Sequence, residues 1–126
     1  MSKLREEVYK KYDGHCAYCG CELEMKDTQV DHIKSKLVAR CRKEEVDNSI
    51  ENLNPSCRQC NYYKGGSGIE GFRKKIAKDL SHTCTNSFQV KLAMKYRMIT
   101  YTPWDKKFFF EKYEEAKEIS QEEDTN

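Results

Sequence analysis

The sequence predicts a small α+β fold, and three observations carry that expectation. Residues 3–12, 69–80 and 87–98 repeat apolar side chains at helical spacing. Short runs such as "TQVDHI" and "MITYT" favour strands and sit between turn signals. Two Cys-x-x-Cys pairs, separated by 37 residues, offer a staple to a chain with a lean core.

The need for a staple follows from composition. At 126 residues the chain suggests one domain, 1–126, with 37% hydrophobic and 35% charged residues. A domain of this size buries a modest apolar area. No apolar run approaches the length of a membrane helix, so no membrane partner is expected. The opening "MSKLREEVYKKY" is charged throughout and does not read as a signal peptide. A reducing, cytoplasmic setting is therefore expected, where disulfides are rare. Seven cysteines, an odd number, argue the same way and favour metal binding. The net charge of +2 hides an asymmetry: residues 1–110 carry a balance of +7 and residues 111–126 a balance of −5. A basic body suits a polyanion such as nucleic acid.

The elements follow in order. Leu4, Val8 and Tyr12 predict a first helix, with Ser2 as N-cap and Gly14 as stop. "CAYCGCELE" reads as a cysteine turn leading into a short strand, and "MKD" as a turn. "TQVDHI" reads as the returning strand of a hairpin that delivers Asp31 and His32 at its far end. Residues 34–49 form a basic connection with a helical turn in "LVARCRKE", and "NSIENLNPSC" is a loop or short strand. Ser56 is the expected N-cap of a helix through "CRQCNYYK", stopped by Gly65 and Gly66. Ile69, Phe72, Ile76 and Leu80 share one face of the next helix. Its other face carries Arg73, Lys74, Lys75 and Lys78. Phe88, Leu92 and Tyr96 fall in phase on another helix. "MITYT" reads as a strand, and "KFFFEKYEEAKEI" as a strand or helix start passing into an acidic helix. Trp104, Phe108, Phe109 and Phe110 are expected to pack a satellite core.

Each Cys-x-x-Cys turn points two thiolates at one place. Cys16, Cys19, Cys57 and Cys60 therefore predict a closed tetrahedral zinc site with a structural role. Cys21 lies close enough in sequence to replace Cys19, and His15 is an alternative donor. Cys41 and Cys84 lack a partner at ligand spacing and read as bystanders. A site of this kind contributes on the order of 10 kcal/mol to folding.

The pattern "CAYCG … VDHI … ENLNPSCRQCN..KGG" resembles the HNH endonuclease family, in the variant with Asn at the third motif position. The resemblance covers residues 14–66, leaving 67–110 as accessory helices and strand and 111–126 as an acidic helix or tail. The "TYTPWDKKFFFEKY" segment is similar to the tails of small phage-borne members. The implied fold is the ββα-metal (His-Me) finger, a hairpin and a helix around one catalytic metal. The implied activity is metal-dependent hydrolysis of DNA phosphodiester bonds, by a nick or a double-strand cut. By the same resemblance, His32 is the general base and Asn52 braces the loop that orients its ring. Asp31 and Asn61 hold one Mg²⁺ or Mn²⁺ through hard oxygen donors. Lys64 matches a family lysine and is expected at a phosphate.

The chain departs from the family between "VDHI" and "ENL". The connection is long, basic and without the family's usual proline and glycine pair. Lys34, Lys36, Arg40 and Arg42 in it are candidates for contacts that track a DNA backbone. Two rival readings stand beside the nuclease. One is a non-catalytic zinc module that binds nucleic acid, which has no need of Asp31, His32 and Asn61 together. The other is a subunit activated by a protein partner, for example in phage packaging or restriction, with the acidic tail as the docking segment.

Overall fold

The computed structural model describes residues 3–124. Ser2, the expected N-cap of the first helix, lies outside them. By internal contacts the chain divides into two compact units. The first runs to Gly68 and resumes at Phe108; the second is Ile69–Lys107.

The first unit opens with helix α1, Lys3–Lys10. Val8 on this helix and Tyr12 in the turn after it are buried in the core, while Leu4 stays exposed. Asp13 and Gly14 take positive φ and turn the chain away, with the Gly14 N–H donating to Tyr9 O. The cysteine turn then folds back on itself. Cys16 N–H donates to Cys21 O, Leu23 N–H to Gly14 O, and His15 makes a single bridge to Glu22.

That closure corrects the expected hairpin. The segment after the turn pairs with residues 14–16 and not with "TQVDHI". Strand β1, Gln29–His32, pairs instead with strand β2, Leu53–Ser56. The two are antiparallel, with Asp31 opposite Asn54 and His32 opposite Leu53. Pro55 is tolerated because each strand of a two-stranded sheet is an edge strand. The tight turn at Met25–Asp27 agrees with the reading of "MKD".

Between the strands lies α2, Lys36–Cys41, capped by Ser35, whose hydroxyl accepts from Val38 N–H at 3.1 Å. After β2 comes α3, Arg58–Lys64. Its cap is Cys57, not Ser56: Cys57 Sγ accepts from Cys60 N–H at 3.4 Å. Ser56 is the last residue of β2, fully buried, and donates to Cys57 O. The helix ends at Gly65, whose φ of 55° a Cβ would disfavour.

The first unit closes with α7, Phe109–Asp124. "FFF" starts this helix and forms no strand, because Glu111 reaches back to accept from Phe108 N–H at 2.9 Å. Phe109 N–H donates to Tyr18 O and Phe110 N–H to Ala17 O, so the helix start is fixed to the cysteine turn. The Phe108 ring packs edge-on against Tyr18 with centroids 5.4 Å apart, and Phe110 lies 6.3 Å from Tyr12. Phe108 belongs to the main core with Val8, Ala17 and Leu53 and not to a satellite, while Phe110 is half-buried at its edge. Burying a ring of this size contributes about 2–3 kcal/mol. Gly20 makes the approach feasible: an added Cβ would meet the Phe109 ring at 2.7 Å.

The second unit is helical. Helix α4, Ile69–Lys74, passes through a π-helical stretch, Lys75–Leu80, into α5, Ser81–Asn86. The helical run is thus longer than the expected 69–80, and Phe72 is its buried residue. Helix α6, Phe88–Lys95, is capped by Ser87. "MITYT" forms no strand; Met98, Ile99 and Tyr101 are exposed.

Candidate active site and metal centre

The four cysteines of the two pairs converge. The Sγ atoms of Cys16, Cys19, Cys57 and Cys60 all lie within 4.8 Å of one another, and Cys19 and Cys57 are 3.9 Å apart. Two sulfurs bound to one zinc ion stand about 3.8 Å apart, from Zn–S bonds near 2.3 Å and tetrahedral angles. The cluster therefore has the size to hold one tetrahedral metal ion. Local structure builds it. Cys57 N–H donates to Cys16 Sγ at 3.3 Å, and Gly20 N–H to Cys16 O, which closes the first turn. Hydrogen bonds from the Cys19 and Cys60 thiols lower the Cys16 pKa strongly. The ionised Cys16 in turn pushes Cys60 up and Cys19 up to about 12. Four sulfurs this close ionise together only around a cation.

The second cluster is on the sheet. β1 carries Asp31 and His32, and α3 packs against it. Asp31 is buried, and both carboxylate oxygens have partners. Oδ1 accepts from Lys64 Nζ at 3.2 Å, and Oδ2 from the Tyr18 hydroxyl. Burial raises the Asp31 pKa, opposed by the Tyr18 hydrogen bond and the Lys64 ammonium. Burial also raises the Tyr18 pKa, and the Asp31 charge adds to it. The Tyr18 oxygen accepts from Asn54 Nδ2 at 3.4 Å, and Lys11 Nζ donates to Asn54 Oδ1 at 3.2 Å. A chain of polar contacts thus runs from Lys11, just after α1, through β2 to β1.

Lys64 has 0% exposure. Its ammonium also reaches His32 O at 3.4 Å. The expected phosphate contact is corrected on this ground: the head group is enclosed against Asp31 and does not meet solvent.

His32 is half-buried, and its Nε2 lies 2.8 Å from Asn48 Oδ1. Asn52 is buried and ties three segments together. Its Oδ1 accepts from Lys34 N–H at 2.8 Å, its Nδ2 donates to Asp47 O at 2.8 Å, and its carbonyl accepts from Ile33 N–H at 2.9 Å. It therefore spans both ends of the loop that carries Asn48. Asn61 is half-buried on α3, one turn before Lys64, and lines an open pocket with Gln29, Arg58, Gln59 and Tyr62.

Lys36, Arg40 and Arg42 are exposed on and just after α2. Lys34 is paired with Glu44. Tyr18 and Asn48 were not singled out by the sequence. Tyr18 lies within "CAYC" and carries no signal of its own beyond an aromatic between ligands. Asn48 is one of several polar residues in a loop. Their roles arise from the pairing of β1 with β2, which is not a local property.

The geometry agrees with the comparison against protein families. Residues 16–66 match the family model described as HNH endonuclease, an interval that holds all four clustered cysteines, Asp31, His32, Asn52 and Asn61. Among curated proteins, none matches the chain. Residues 16–66 of this chain are thus similar to the HNH endonuclease family, with four cysteines placed to hold a metal ion.

Proposed function

We propose that this chain is a metal-dependent DNA endonuclease that hydrolyses phosphodiester bonds at the Asp31–His32 pair. The observation that carries the reading is the placement of these two residues on β1, beside α3 and inside the matched interval. A module that only bound nucleic acid would not need a buried aspartate next to a histidine.

Each residue has a task. The His32 imidazole takes the proton from the water that attacks the phosphorus. When its Nε2–H donates to Asn48 Oδ1, the lone pair is on Nδ1, and that nitrogen is the base. Asn52 holds both ends of the Asn48 loop and so fixes the ring from behind. Asp31 and Asn61 offer carboxylate and amide oxygens, a donor set that fits Mg²⁺ or Mn²⁺ better than zinc. Each Asp31 oxygen keeps a lone pair beyond its present hydrogen bond. When bound, such an ion supplies Lewis-acid stabilisation to the leaving 3′ oxygen. Lys64 and Tyr18 hold Asp31 in place and oppose the rise in its pKa that burial causes. Zinc at Cys16, Cys19, Cys57 and Cys60 clamps the start of α3 to the first turn and has no open position for chemistry. Lys36, Arg40 and Arg42 track the DNA backbone.

Asp31→Ala and Asn61→Ala test the ligand assignment. Each is expected to weaken Mn²⁺ binding at least tenfold in a paramagnetic titration and to slow plasmid nicking, with zinc content unchanged. Full Mn²⁺ affinity in both variants, or loss of zinc in either, would overturn the assignment.

A further inference from the structure

Helix α6 is inverted. Its smaller side chains, Val90, Ala93 and Met94, are the partly buried ones. Its large apolar side chains face solvent: Phe88 is 77% exposed, Tyr96 74% and Leu92 42%. At 100° per residue, these three fall within an arc of about 80°, and Lys91 and Lys95 lie beside Phe88 on the same face. The helix thus presents aromatic rings and ammonium groups together, at intervals of about 6 Å per turn.

The surrounding charge selects the occupant. Between Leu80 and Trp104 there is no aspartate or glutamate, while Lys91, Lys95 and Arg97 are all cationic. The whole segment 69–107 has nine Lys and Arg against three acidic residues. A face of exposed rings interleaved with cations matches a polyanion whose flat bases are free to stack. Paired bases within a duplex do not offer their faces, so the complement is a single strand.

We propose that the outer face of α6 is a binding surface for single-stranded DNA, separate from the Asp31–His32 site. Phe88 and Tyr96 stack on bases, Leu92 packs between them, and Lys91 and Lys95 meet the phosphates. The choice of DNA rests on the nuclease reading; the preference for unpaired bases rests on α6 alone. The surface lies outside the matched interval, so it adds an activity to the domain instead of repeating one.

The test uses the full chain with zinc bound and no Mg²⁺ or Mn²⁺. A fluorescent single-stranded 20-mer and the duplex of the same sequence are titrated by anisotropy, against wild type and F88A/Y96A. The expected result is a loss of about tenfold or more for the single strand and less than twofold for the duplex. Plasmid nicking by the variant in Mg²⁺ is expected to stay within twofold of wild type, because neither residue belongs to the site on β1. Unchanged single-strand affinity in the variant would overturn the proposal, as would equal loss for both DNAs. Binding of wild type to anionic lipid vesicles but not to the oligonucleotide would assign the face to a membrane and overturn it. A dimer that F88A/Y96A dissociates, with oligonucleotide binding unchanged, would assign it to a second copy. Failure of the nuclease reading shows separately, as absence of nicking by wild type.

Discussion

Lys64 shows how far one residue's role depends on its surroundings. In sequence it is a cation near the end of a short helix, a place where solvated lysines are common. In the fold it is enclosed, and Asp31 is its partner at 3.2 Å. Removing one member of a buried pair leaves the other as an uncompensated charge, which costs about 3–5 kcal/mol. Lys64→Met is therefore expected to lower stability by about 3 kcal/mol in urea denaturation. The double change Lys64→Met with Asp31→Leu should recover most of that loss. A loss below about 1 kcal/mol in the single variant would mean that the pair is not the enclosed unit described. The match to the family model over residues 16–66 was legible because the order of its motif residues along the chain is distinctive. Their supports, Tyr18, Asn48 and Lys64, were not, since each contact joins residues 13 to 33 positions apart.

At the scale of elements, legibility followed locality. Helices α1, α2 and α3 were read correctly in place because periodicity and end signals act within a few residues. The sheet was not. A local rule joins "TQVDHI" to the preceding segment, whereas β1 pairs across more than 20 residues with β2. Residues 21–23 pair with residues 14–16 of the cysteine turn instead. Helix α6 was recognised by period, but the face that reads as core is the one turned outward. Periodicity reports that side chains share a face and does not report what covers it. The cysteine cluster connects the first turn to the start of α3, so its metal should act on several elements at once. Cys57→Ser removes a thiolate ligand while keeping a side-chain oxygen at the α3 cap, so its effect reports the metal. It is expected to release zinc and to lower the melting temperature by at least about 10 °C, read by circular dichroism beside a zinc assay. An unchanged melting temperature would contradict a structural metal.

At the scale of the whole molecule, charge separates the chain into parts with different tasks. The start of the acidic stretch is tied to the turn after α1: Tyr12 donates to Glu114 at 3.1 Å and Tyr113 to Asp13 at 2.8 Å. The rest of the chain has a positive balance suited to DNA. No helix among the described residues is long and apolar enough to cross a membrane. In the proposed reaction one Asp–His pair acts on one strand per encounter, so nicked circles should precede linear product unless two chains act together. The measurement that tests the central claim most directly is cleavage of supercoiled plasmid in Mg²⁺ or Mn²⁺ by wild type and His32→Ala, both confirmed to hold zinc. The account predicts conversion to nicked plasmid by wild type, at least about a hundredfold slower conversion by the variant, and equal DNA binding by both. Cleavage by His32→Ala at the wild-type rate, or no cleavage by zinc-loaded wild type, would contradict it.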